Sequence, residues 1–176
     1  MTRLVTLLLL LVAQSCAHAQ PASFDFGAAR FVKKFDASKP PNSQIEFGLP
    51  DEPIEAWTRL VTVHAFPNGG NDAARAAANL ANLIKQRFPG ATYKVIGNPK
   101  TSEAIIDFLL PVPNSDTMEF NVFKYAPAGN GLVALQYARR VKLGEIDGAE
   151  LREIRERAIN EMANYEMAQV KAYVGK

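Results

Sequence analysis

Residues 55–66 read E-A-W-T-R-L-V-T-V-H-A-F and hold the chain's one tryptophan, Trp57, together with His64, one of its two histidines. From Trp57 onward β-branched and aromatic side chains are dense, and no proline interrupts before Pro67, so the backbone is free to donate along a ladder. A strand over residues 57–66 is expected. Period two places Leu60, Thr62, His64 and Phe66 on one side and Val61, Val63 and Ala65 on the other, so both sides are largely apolar. Such a strand belongs inside a sheet covered on both faces. Trp57 follows the turn of residues 50–53 at the strand's start, where its indole is expected as a core anchor, with a ligand platform as the alternative.

Upstream, the first nineteen residues carry one positive charge at Arg3, an apolar run over residues 4–12, and Ala17 and Ala19 around His18. This is the pattern of a secretory signal peptide over residues 1–19, with cleavage after Ala19. A second reading takes residues 12–16 as a lipoprotein signal in which Cys16 is acylated. The protein is thus expected to be periplasmic or secreted, or, on the second reading, an outer-membrane lipoprotein held through Cys16. The apolar run is too short to span a bilayer.

Taking nineteen residues from 176 leaves 157, a single-domain length that buries about 70% of its unfolded surface. Residues 20–29 are expected as a flexible lead-in and residues 30–176 as one α+β domain. Cys16 is the chain's one cysteine, so the mature domain has no thiol for a disulfide, a metal site or a nucleophile. Loss of Arg3 leaves nineteen basic against eighteen acidic residues, which gives no electrostatic reason to expect nucleic acid or an acidic membrane surface as partner.

Further along, residues 30–36 and 45–49 read as short strands separated by a turn at Pro40-Pro41. Asn71 is placed to cap a helix reaching about residue 88, with Ala73, Ala76, Ala77, Leu80, Leu83 and Ile84 on one face. Its alanines imply close packing on the sheet. Four strands follow, over residues 92–96, 104–110, 118–126 and 132–142. A hairpin centred on Gly129 sets Tyr125 against Val133, Phe123 against Leu135, Asn121 against Tyr137 and Glu119 against Arg139. Asp147 and Glu150 form a capping box that opens a second helix, expected to reach about residue 173.

The order strand, strand, strand, helix, four strands, helix gives an α+β fold. A mainly antiparallel sheet of six to seven strands is expected, with a helix packed on each face. This αβα sandwich resembles the PsbP-like fold, shared by accessory proteins of photosystem II and several small bacterial envelope proteins. The segments E-x-W-T-x-L-V-T around residue 57 and L-Q-Y-A-R-R around residue 137 are similar to uncharacterised secreted proteobacterial proteins. The resemblance implies accessory or binding roles and no catalytic residues to carry over.

No cofactor or metal site is expected: with His64 the sole histidine of the mature domain, neither a multi-histidine metal site nor a two-histidine mechanism can be built. The serines lie outside any nucleophile elbow. Tyr137, Arg139 and Arg140, with Lys142, make a basic and aromatic cluster that either receives an anionic group or protects an edge strand. Trp57, His64, Tyr137, Arg139 and Arg140 are therefore the candidate binding residues. The leading expectation is a non-enzymatic binding or accessory module for an envelope protein or a small ligand. The alternatives are an inhibitor or immunity protein against a secreted toxin or hydrolase, and an enzyme that uses His64 with Asp107.

Overall fold

Alternating apolar residues draw eight segments into strands, and the computed structural model, which describes residues 23–172, pairs them all antiparallel in one sheet. They are β1 (Ser23–Phe26), β2 (Ala29–Asp36), β3 (Ser43–Gly48), β4 (Arg59–Phe66), β5 (Thr92–Asn98), β6 (Glu103–Pro111), β7 (Thr117–Ala128) and β8 (Gly131–Lys142). Three helices accompany them: α1 (Ala73–Arg87), α2 (Gly148–Asn164) and the single turn α3 (Ala168–Lys171). The strand order is β1-β2-β3-β4-β8-β7-β6-β5, two four-stranded meanders joined along β4 and β8. The signal peptide expected over residues 1–19, and Cys16 within it, lie outside the described residues.

The sheet has eight strands where six to seven were expected. The extra one is β1, within the stretch read as a lead-in. Phe24 and Phe26 alternate with Ser23 and Asp25, so four residues bury two phenyl rings, each worth about 1.5–3 kcal/mol. That gain fixes a segment whose composition suggested a tether.

Alternate residues of the same strands fall into two separate clusters. Val61, Val63, Val122, Val133 and Leu135 group with Ala158 and Met162 of α2 and with Val170 of α3. Ala104, Ile106, Phe108, Tyr125, Leu132 and Ala134 group with Ala73, Ala77, Ala81 and Ile84 of α1. Alanine every fourth residue lets α1 lie close over β5, β6 and β7, as its sequence implied. Leu83, expected on that face, is exposed.

Local details shift by a residue or more. Asp72 rather than Asn71 caps α1, accepting from the Arg75 backbone N–H at 2.9 Å. Asp147 caps α2 as expected, accepting from the N–H groups of Ala149 and Glu150. That helix ends at Asn164, well short of residue 173, because Lys124 Nζ reaches up from β7 and donates to the carbonyls of Ala163 (3.1 Å) and Tyr165 (2.8 Å). Those last-turn carbonyls gain a charged donor, and the chain turns to bury Met167 and Val170 through α3.

The β7–β8 hairpin turns on two residues, Gly129 and Asn130, with Ala128 opposite Gly131. Gly129 has φ +60°, the conformation a glycine-first two-residue turn requires. Every pairing therefore moves by one from the register centred on Gly129. Glu119 faces Arg140, Asn121 faces Ala138 and Phe123 faces Gln136.

Candidate functional site

The pairing of β8 with β4 on one side and β7 on the other decides how the candidate residues are distributed. β8 lies between β4 and β7, so Arg139, Arg140 and Lys142 cannot be protecting an edge; the edges are β1 and β5. Alternation along β8 sends Tyr137 and Arg139 towards α2 and Arg140 the other way. The five candidates thus divide into two groups.

Trp57, His64 and Arg140 join one row. His64 Nε2 lies 3.0 Å from Gln136 Oε1, Gln136 Nε2 donates to Asn121 Oδ1 at 2.8 Å, and Asn121 Nδ2 donates to Glu119 Oε1 at 3.1 Å. Glu119 Oε2 lies 3.7 Å from Arg140 Nε, and the Arg140 guanidinium stacks over Trp57 with Cζ 3.9 Å from the ring centroid. The direction of the row is set at its acidic end. A carboxylate only accepts, so Asn121 must present its amide N–H₂ to Glu119 and its oxygen to Gln136; Gln136 in turn must present its oxygen to His64. His64 therefore carries its proton on Nε2 and leaves Nδ1 as an acceptor.

Trp57 is half-buried and outside both clusters, so it is not the core anchor expected of it. It ends a 3₁₀ turn at Ile54–Ala56 and precedes β4 in extended conformation. Glu52 holds this approach by accepting from the Thr58 N–H at 2.7 Å and the Thr58 hydroxyl at 2.5 Å. His64 is stacked between Phe66 and Phe123 at centroid distances of 5.9 and 5.7 Å. Burial pulls its pKa down and outweighs the opposing hydrogen bond that His64 donates to Gln136.

His64 and Asp107 do not meet. Asp107 follows Ile106 of the α1 cluster and points the other way, fully buried, where Arg155 of α2 grips Oδ1 through Nε at 2.6 Å and through Nη2. The enzyme reading that paired these two residues loses its geometry, since they lie on opposite faces of the sheet. Lys124 is likewise no partner of Asp107: its ammonium sits 3.1 Å from Glu103.

Tyr137 and Arg139 line a cleft of about 210 Å³ between the β1–β2 hairpin, the β4–β8 junction and α2. Phe26 stacks on Tyr137 at 4.9 Å, and Phe31 meets its edge. Arg59 lies directly across from Arg139 on β4, and α2 contributes Arg157 and Glu161. Burial raises the Tyr137 pKa against the opposing charges of Arg139 and Arg59, so the phenol stays a neutral donor.

A protein-family model matches the chain over residues 18–170. The chain belongs to that family. The match fits the likeness to uncharacterised proteobacterial proteins seen in the segments around residues 57 and 137. No curated protein matches the sequence. Both the row and the cleft fall within the family's span. Among the described residues no helix is long and apolar enough to cross a membrane.

Asn121, Arg59 and Glu161 carry no motif, Gln136 lies in the L-Q-Y-A-R-R segment with no role assigned to it there, and the recruitment of all four depends on register and helix placement. Arg59 alone had a signal. It lies on the Val61 side of the opening strand, so once β4 pairs with β8 it must confront an odd-numbered residue of β8.

Proposed function

We propose that this chain is a non-enzymatic periplasmic or secreted binding protein that recognises a protein partner through the row ending at Trp57 and Arg140, on an αβα sandwich of the PsbP-like kind. The observation that carries this reading is the row itself. Six side chains from β4, β7, β8 and the turn before β4 hold one another in place, and all but Asn121 remain partly exposed. A tryptophan stacked under an arginine is the side-chain chemistry that dominates binding at protein interfaces, and holding both in advance lowers the ordering cost of association. The sandwich is supported by the two clusters, one with α1 and one with α2. The secretory leader supports an envelope location.

The test is affinity capture from an envelope extract, followed by mass spectrometry, with the native protein, Trp57→Ala and Arg140→Ala as parallel baits. One partner retained by the native protein and lost by both variants is expected; a hydrolase in that position would assign the protein as its inhibitor. Equal retention by all three baits, or no specific partner, would overturn the reading.

A further inference from the structure

Arg59 and Arg139 are Cα partners on adjacent antiparallel strands. The Arg140 N–H donates to the Thr58 carbonyl at 2.9 Å, one position outside this pair, so Arg59 and Arg139 form a non-hydrogen-bonded pair, in which facing side chains approach most closely. Like charges so placed repel. Among the described residues neither guanidinium has a carboxylate oxygen within 4 Å. Glu52 feels the Arg59 charge, yet both of its oxygens are engaged by Thr58.

Both arginines line the cleft. Arg157 at its rim is already paired with Glu153 at 2.5 Å, which leaves two guanidinium groups against the single carboxylate of Glu161. Glu161 is itself turned towards Gly27, where an added Cβ would come within 2.5 Å of its Oε2. The cleft therefore keeps one positive charge in excess, together with a phenol donor and the apolar walls of Phe26 and Phe31. Its volume is about seven water molecules at ~30 Å³ each, below the range of drug-sized ligand pockets.

We propose that this cleft binds the oxyanion group of a small organic acid, a carboxylate or a phosphate monoester, held between the Arg59 and Arg139 guanidinium groups with its short apolar part against Phe26 and Phe31. Two guanidinium forks lining one small cleft suit an oxyanion better than any neutral group. The anion also supplies the countercharge that the facing arginines lack. The cleft lies on the sheet face opposite Trp57 and His64, so this inference does not rest on the docking row.

The experiment measures the thermal midpoint and the Arg Nε–H NMR resonances of the protein against sodium butyrate and inorganic phosphate, with chloride as the control at constant ionic strength. A saturable rise in midpoint with at least one of the two, accompanied by shifts of the Arg59 and Arg139 resonances, is expected. Response to butyrate alone assigns a carboxylate ligand, to phosphate alone a phosphate monoester, and to both a shared oxyanion site. Arg59→Gln is expected to weaken the response about tenfold or more and to leave the midpoint in chloride unchanged or higher, because it removes the repulsion. Arg139→Gln gives the same comparison from the other strand. No response beyond chloride, or an undiminished response in both variants, would overturn the proposal.

Discussion

His64 shows how a single half-buried ring, stacked between two phenyl rings, sets a pH dependence. Its folded pKa lies below its unfolded value of about 6.5, so the unfolded chain binds the proton more tightly and stability rises with pH. The contribution is complete above about pH 6.5 and is lost as pH falls from there towards the lowered folded value. His64→Gln keeps a donor for Gln136 and removes the titration. Its denaturant midpoint is expected to vary less than that of the native protein between pH 7.5 and 5, and equal slopes would contradict the burial argument. Asp107 is a matter of charge burial instead. Arg155→Met would leave its carboxylate buried without a countercharge, at a cost of about 3–5 kcal/mol by chemical denaturation. Pairing that change with Asp107→Leu should recover most of the loss. Neither environment was legible from the residues alone. An aspartate in an apolar strand announces a partner, but the partner came from a helix 48 residues further on.

At the scale of elements, turn geometry outweighed side-chain pairing logic. The sequence P-A-G-N-G accommodates a turn centred on Gly129 or one spanning Gly129 and Asn130, and both bring Glu119 to an arginine. The difference of one residue decided that Glu119 meets Arg140, which stacks on Trp57, and not Arg139, which faces Arg59 on β4. Gly131 shows why the shorter turn wins. A Cβ there would lie 2.5 Å from the Phe66 carbonyl oxygen and 2.6 Å from Pro67 Cα, so β8 starts at a point that only glycine can occupy against the end of β4. Gly131→Ala is expected to cost about 2–3 kcal/mol, whereas Gly129→Ala, with φ +60° but open space around it, should cost about 1 kcal/mol. Reversal of that order in equilibrium unfolding would show that the hairpin is not pinned at Gly131. Seven of the eight strands, and both helix starts to within a residue, were readable from period and capping residues; β1 was not. The end of α2 was not, because the group that stops it is a lysine from β7.

Over the whole molecule, the two meanders are interlocked by more than the β4–β8 junction. α1 follows the first meander yet lies over β5, β6 and β7 of the second, so neither half keeps its apolar surface covered without the other. A single cooperative unfolding transition is expected, with circular dichroism and tryptophan fluorescence giving the same midpoint; separated midpoints would mean that the halves melt independently. The β1 strand ties the ends of the chain together in the same way. Phe24 meets Phe47 early in the chain but also stacks on Tyr165 at 5.5 Å, and Phe26 stacks on Tyr137, so β1 completes its packing only when the last quarter of the chain arrives. A ribosome that delivers the N-terminus first must therefore leave Phe26, and one side of Phe24, uncovered until most of the polypeptide has emerged. A holdase that shields that segment meanwhile would raise the yield of native protein more than one that acts on any later stretch.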